Sequence, residues 1–231
     1  SNLIHKYNLD GTLVEEFSIA GVSGLRDLAY DGQYFYGGAA ATTIFQMDFT
    51  TKTLVSTITS PAATRSIAYD AAQDGFWVNN WDADLILVSR AGANIGTIAG
   101  PPSMYGSAYD SWTAGGPYLW VFSGTTGGAG CQVEQMSIAT GALTGVSHSV
   151  SGDLGATIAG GLFTQPGIVS GFVTIGGLAQ GDGASDQLFG YELAAGGGGG
   201  TSVDVMGYNI YRDGMLIDYV GADTTEYDDL Y

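Results

Sequence analysis

One tripeptide constrains this chain more than any other feature. Ala-Tyr-Asp stands at 29–31, 68–70 and 108–110, at spacings of 39 and 40 residues. Self-similarity at such a period marks a fold built from repeated supersecondary units, each too small to bury its own apolar face. Around each copy the same order of segments recurs. Tyr34–Gly37, Ile44–Phe49 and Leu54–Ile58 follow the first copy. Gly75–Val78, Leu85–Val88 and Ile95–Ile98 follow the second, and Tyr118–Val121, Val133–Ile138 and Leu143–Val146 the third.

Each period therefore holds four short β-rich segments, and no 3.6-residue apolar stripe runs long enough for a helix. Asp31-Gly32, Asp74-Gly75, Ala91-Gly92 and Thr140-Gly141 fall between segments, where tight turns belong. Four strands per roughly 40 residues is the blade of a β-propeller, so the sequence predicts an all-β fold of four-stranded blades packed radially. Side-chain alternation puts Asp27, Ala29 and Asp31 on one face of the first strand, with Leu28 and Tyr30 on the other. The small alanine lets a neighbouring sheet approach.

The units lie near 1–22, 25–60, 65–100, 105–150 and 156–195. The last is weak. Thr157–Gly160 reads as its first strand, with Ala159 matched to Ala108, and about ten inserted residues fall near 124–128 and 147–155. The first unit resembles only the third and fourth strands of a blade, Lys6-Tyr7-Asn8-Leu9 aligning with Gln46-Met47-Asp48-Phe49. Half a blade, three whole blades and most of another leave two ways to close a ring: few blades with a shared closing blade, or further blades upstream that make the ring in this chain incomplete, the second being favoured because it explains a start in mid-blade. Five glycines at 196–200 read as a linker or join. Residues 201–231 then read as a separate short segment, a hairpin turning at Asp213-Gly214.

Six Lys+Arg against 23 Asp+Glu give a formal charge of −17, which argues against nucleic acid as a partner. A hydrophobic share of 45% is enough to bury a core. Cys131 is the only cysteine, which excludes an internal disulfide or a cysteine metal cluster and reads as a packed thiol. The chain opens Ser-Asn-Leu-Ile-His-Lys without a signal peptide, and no apolar run approaches the roughly 18 residues that would insert in a membrane.

The Gly-Tyr-Asn-Ile-Tyr-Arg-Asp-Gly run at 207–214 resembles part of a fibronectin type III-like module of secreted bacterial proteins. The repeats over roughly 3–193 resemble the propeller region of large secreted Bacteroidetes multidomain surface proteins, the cargo of type IX secretion. That resemblance implies a secreted or cell-surface location. It implies an adhesion, display or binding module without enzymatic activity, whose partner is a glycan or another surface protein. The alternatives are an enzyme or lectin acting on an anionic glycan in the central channel, and a structural subunit assembling through an open blade edge.

Candidate sites are few. His5 and His148 read as surface residues, and the scattered acids lack a calcium-loop pattern, so no cofactor is expected and Ca²⁺ has no motif behind it. No catalytic set emerges. Counting back three from each alanine of the repeat, and from Ala159, gives Arg26, Arg65, Tyr105 and Ala156, one layer around the channel. Two arginines at equivalent places suit a carboxylate or sulfate ligand. The expectation is nevertheless that each is held by an acid such as Asp27. Trp81, in Asn79-Asn80-Trp81-Asp82, would stack on a ligand ring if exposed, but burial in the blade is expected.

Overall fold

The computed structural model describes residues 2–124, 130–181, 186–195, 207–212 and 215–221. The chain divides into two units, Ser1–Gly196 and Gly197–Tyr231. In the second, Gly207–Arg212 pairs antiparallel with Met215–Gly221. The turn expected at Asp213-Gly214 lies outside the described residues.

The first unit is a propeller of four blades. Its elements are β1 (Ile4–Tyr7) and β2 (Leu13–Phe17), then β3 (Leu28–Tyr30), β4 (Phe35–Gly38), β5 (Ala41–Asp48) and β6 (Thr53–Thr64) as blade one. Blade two is β7 (Ser66–Asp70), β8 (Gly75–Asn79), β9 (Leu85–Ser89) and β10 (Asn94–Ile98). Blade three is β11 (Met104–Asp110), β12 (Tyr118–Gly124), β13 (Cys131–Ser137) and β14 (Ala142–Ser149). A five-residue helix α1 (Val150–Leu154) leads to blade four, whose three described strands are β15 (Ala156–Pro166), β16 (Phe172–Gly181) and β17 (Asp186–Ala195). The hairpin β1–β2 carries a register shift at Lys6/Tyr7, and β5–β6 carries one at Gln46/Met47.

The aspartate of the repeat organises each blade. Asp31 Oδ1 accepts the backbone N–H groups of Gln33 and Tyr34 at 2.9 and 2.8 Å, closing the turn between the first two strands. Its Oδ2 accepts the Tyr36 hydroxyl at 2.9 Å. Asp70 and Asp110 repeat the device, capping the turns at Ala72-Gln73 and Trp112-Thr113 and accepting the indole N–H of Trp77 at 3.0 Å and of Trp120 at 3.1 Å. A carboxylate with four lone-pair sites thus ties the turn to the large aromatic of the second strand. That aromatic lies opposite the small alanine: Ala29↔Tyr36, Ala68↔Trp77 and Ala108↔Trp120.

Apolar faces meet between blades. Ile44, Phe76 and Val78 are fully buried between blades one and two, while Met104, Leu119 and Val121 are fully buried between blades two and three. Phe122, Leu162 and Ile175 fill the space between blades three and four. Complete burial of such a side chain contributes roughly 1.5–3 kcal/mol. The hairpin β1–β2 covers the other face of blade one through Phe17, Ile19 and Met47. Between that hairpin and blade four there is instead an open cleft of about 950 Å³.

At the axis one residue closes the ring. Asp27 is buried, and its carboxylate accepts backbone N–H groups from all four innermost strands. Oδ1 takes those of Leu28 and Leu162, each at 3.0 Å, and Oδ2 those of Ile67 at 2.9 Å and Ser107 at 3.0 Å. Burial pushes its pKa up to about 7, with the four N–H donors pulling the other way. Asp27 stands two residues before its alanine, where the next blades have Ser66 and Gly106. Only one such carboxylate fits: a Cβ on Gly106 would collide with the carbonyl oxygen of Gly160 and lie 2.8 Å from the nitrogen of Leu162.

The same bonds correct the register of the fourth unit. Leu162 N–H occupies the place of Ile67 and Ser107, so Phe163, not Ala159, stands where the alanines stand. Phe163 pairs with Gly176. The large and small partners have changed strands, with a phenylalanine on the first and a glycine on the second. A Cβ on Gly176 would press within 2.5 Å of the Phe163 ring. The pair conserves volume while erasing the Ala-Tyr-Asp signature.

Candidate functional site

The positions just before the axial layer form the rim of the ring. They are Arg26, Arg65 and Tyr105, and the corrected register puts Gly160 in the fourth place instead of Ala156. The strand ladder explains how the arginines are held: Arg26 N–H bonds to Gly38 O at 3.1 Å and Arg65 N–H to Asn79 O at 2.8 Å, continuing the β3–β4 and β7–β8 pairs. Both side chains therefore leave the backbone at one end of the channel.

Three of the four expected site residues make one cluster. The Arg65 guanidinium carbon lies 4.2 Å from the centre of the Trp81 ring and 4.5 Å from that of Tyr105. The two rings are 4.7 Å apart. Each cation–π contact is worth about 0.5–2 kcal/mol, depending on desolvation. Trp81 is 41% exposed, so the expectation that it packs inside the blade is corrected. Its backbone explains why: φ is +58°, in the left-handed region that a bulky residue adopts only when its surroundings compel it. The bridge between Trp81 and Met104, from blade two to blade three, supplies that constraint. Tyr36, in the other aromatic run, is fully buried.

The expected acid partners are not there. Neither Arg26 nor Arg65 forms an ion pair among the described residues, whose pairs involve His5, Lys6, Lys52, Arg90 and His148. The expectation of pairing with Asp27 fails for a geometric reason: both carboxylate oxygens of Asp27 are saturated by the four axial N–H groups. Arg65 Nε is buried without a hydrogen-bond partner. Burial, and next the positive charge of Arg26, hold Arg65 below the ordinary arginine value. Arg26 is exposed and also lines the cleft between β1–β2 and blade four. Neither guanidinium group has an acid partner among the described residues, and a guanidinium group without one retains its capacity for bidentate bonds to a carboxylate or sulfate.

Arg90 was not singled out by the repeat, and its role is different. It meets Asp31 Oδ2 at 3.0 Å and Asp74 Oδ1 at 2.8 Å, and donates to the Tyr36 hydroxyl at 2.6 Å. It is consumed in joining blades one and two. His5 and His148 are exposed and face Glu16 and Asp153 at 2.9 and 2.7 Å. Cys131 is buried, which pushes its thiol pKa up. Among the described residues no group of three or more His, Cys, Asp or Glu is placed to hold a metal ion.

No family model and no curated protein matches this chain. Among solved structures, glutaminyl cyclase of Myxococcus xanthus aligns with 80% of this chain and 78% of its own, at 17% identity and a TM-score of 0.57. Hydrazine synthase of Kuenenia stuttgartiensis aligns with 77% of this chain and 50% of its own, at 12% identity and a TM-score of 0.45. At 17% identity, the likeness to the cyclase is a likeness of propeller fold alone.

Proposed function

We propose that this propeller is a binding module for a ligand bearing a carboxylate or sulfate group, held at the rim of the channel by Arg26 and Arg65. The observation that carries the reading is the unpaired state of both guanidinium groups among the described residues, with Arg65 Nε buried and partnerless. In a chain of net charge −17 with six Lys and Arg, two cations without an acid partner, the charge of one felt by the other, are held against Coulomb repulsion. An incoming anion relieves that repulsion and gains charge-assisted hydrogen bonds. Trp81 and Tyr105 orient Arg65, and the exposed part of Trp81 offers a reporter.

The test is a titration with sodium acetate and sodium sulfate at constant ionic strength made up with chloride. The indole N–H resonance of Trp81 is followed by NMR. A saturable shift is expected in the wild type, weakened at least tenfold in Arg26→Ala and in Arg65→Lys. An unsaturable response, or one that keeps the wild-type affinity in both variants, would refute the assignment.

A further inference from the structure

The cleft between the hairpin β1–β2 and blade four shares Arg26 with the site just described. It reaches the inner strands of blades two and three as well, and its walls are mainly apolar. Leu28, Tyr30, Phe163, Leu178 and Leu188 line it, and four of these are large side chains left substantially open to solvent, Leu188 at 61%. A concave space of about 950 Å³ with such walls and few polar groups has the character of a small-molecule pocket.

The charged groups on its wall decide what fits. Four line it: His5, Arg26, Asp27 and Asp31. His5 faces Glu16, Asp31 faces Arg90, and Asp27 is saturated by four backbone N–H groups. Arg26 is the one left uncommitted among the described residues. A ligand lying in the cleft therefore meets one cation without an acid partner, Arg26.

We infer that the ligand is an amphipathic monoanion, a carboxylate or sulfate joined to an extended aliphatic or aromatic body. The head sits at Arg26 and the body lies in the cleft against Phe163, Leu178 and Leu188. This rests on the anion-site reading and adds the chemistry of the body. A sugar is disfavoured as that body, because most of its hydroxyls would lose water against a wall that is mainly apolar.

Calorimetric titration of the full chain with acetate, octanoate, 1-octanol and glucuronate tests it. Each methylene moved from water to an apolar wall is worth about 0.8 kcal/mol, or roughly three- to fourfold in affinity. Octanoate should bind at least about 50-fold tighter than acetate. Arg26→Ala should reduce octanoate to the affinity of 1-octanol. Leu188→Asn, at an exposed position, should cut octanoate binding at least fivefold and leave acetate unchanged. If octanoate binds no tighter than acetate, while Arg26→Ala still abolishes acetate binding, the anion site stands and the cleft inference falls. If 1-octanol matches octanoate in the wild type, or glucuronate exceeds it, the inference is overturned. If neither acetate nor octanoate binds, both readings fall together.

Discussion

Replacing Asp27 by Asn tests the central claim about the fold, that one carboxyl group ties four blades at the axis. Its pKa is raised to about 7 by burial, so at pH 5 the group is protonated in the folded protein. In that form the carbonyl oxygen still accepts two of the four N–H groups and the hydroxyl oxygen one. An asparagine keeps the carbonyl pair, but its nitrogen accepts nothing and adds two N–H bonds of its own. Relative to the acid, one more backbone donor and one more side-chain donor are stranded in the interior. At about 1–3 kcal/mol for each, Asp27→Asn should cost about 2–6 kcal/mol below about pH 4, where the unfolded carboxyl is protonated as well. The sign of the pH dependence follows from linkage. A carboxyl whose pKa rises from 3.8 to about 7 on folding binds more protons folded than unfolded between those values. Its contribution to stability is therefore complete below about pH 4 and declines as the pH climbs through 7. At about 1.4 kcal/mol per unit, the gap between wild type and Asp27→Asn should narrow by up to about 4 kcal/mol between pH 4 and pH 8. Urea unfolding of both proteins at pH 4, 5, 6, 7 and 8, followed by circular dichroism, measures the gap directly. A cost below about 1 kcal/mol at pH 4 would refute the axial tie. A gap that widens with pH would show that the four N–H groups outweigh burial and hold the carboxylate form.

Two further perturbations probe neighbouring parts of the argument. Gly106→Ala puts a methyl group against backbone atoms of Gly160 and Leu162, which cannot rotate away, so a loss of about 1–3 kcal/mol or more is expected in the same unfolding assay; a neutral result would show that blades three and four are less close at the axis. Arg90→Ala removes bonds to Asp31, Asp74 and Tyr36, but the side chain is 38% exposed, so screening limits the expected loss to about 1–2 kcal/mol at pH 7. Asp74 is held below its ordinary carboxylate value by the bond to Arg90, so the stabilisation is present above pH 4 and fades as the pH falls further; a variant that loses stability equally at pH 3 and pH 7 would contradict this.

Much of this architecture was legible in the residues because it is local and periodic. Strand, turn and strand recur at about 40 residues, and Ala-Tyr-Asp marks the inner strands of blades one to three, since its aspartate bonds within its own blade. The equivalence of Arg26, Arg65 and Tyr105 followed from the same count, and their nearness in space follows from equivalence in a ring. The fourth register was hidden because Phe163 and Gly176 together fill the volume that an alanine and an aromatic fill elsewhere, and compensation across strands leaves no one-dimensional mark. A trace of the axial tie was present in the run Asp27, Ser66, Gly106, one acid among small residues, but its meaning depends on four strands converging from 135 residues of chain. That convergence also decided the site. Asp27 is the immediate neighbour of Arg26 in sequence, yet successive side chains of a strand point to opposite faces, and the axis claimed the carboxylate before either arginine could. The cleft, too, belongs to the tertiary structure alone, since it is defined by which blade faces remain uncovered once the ring has packed.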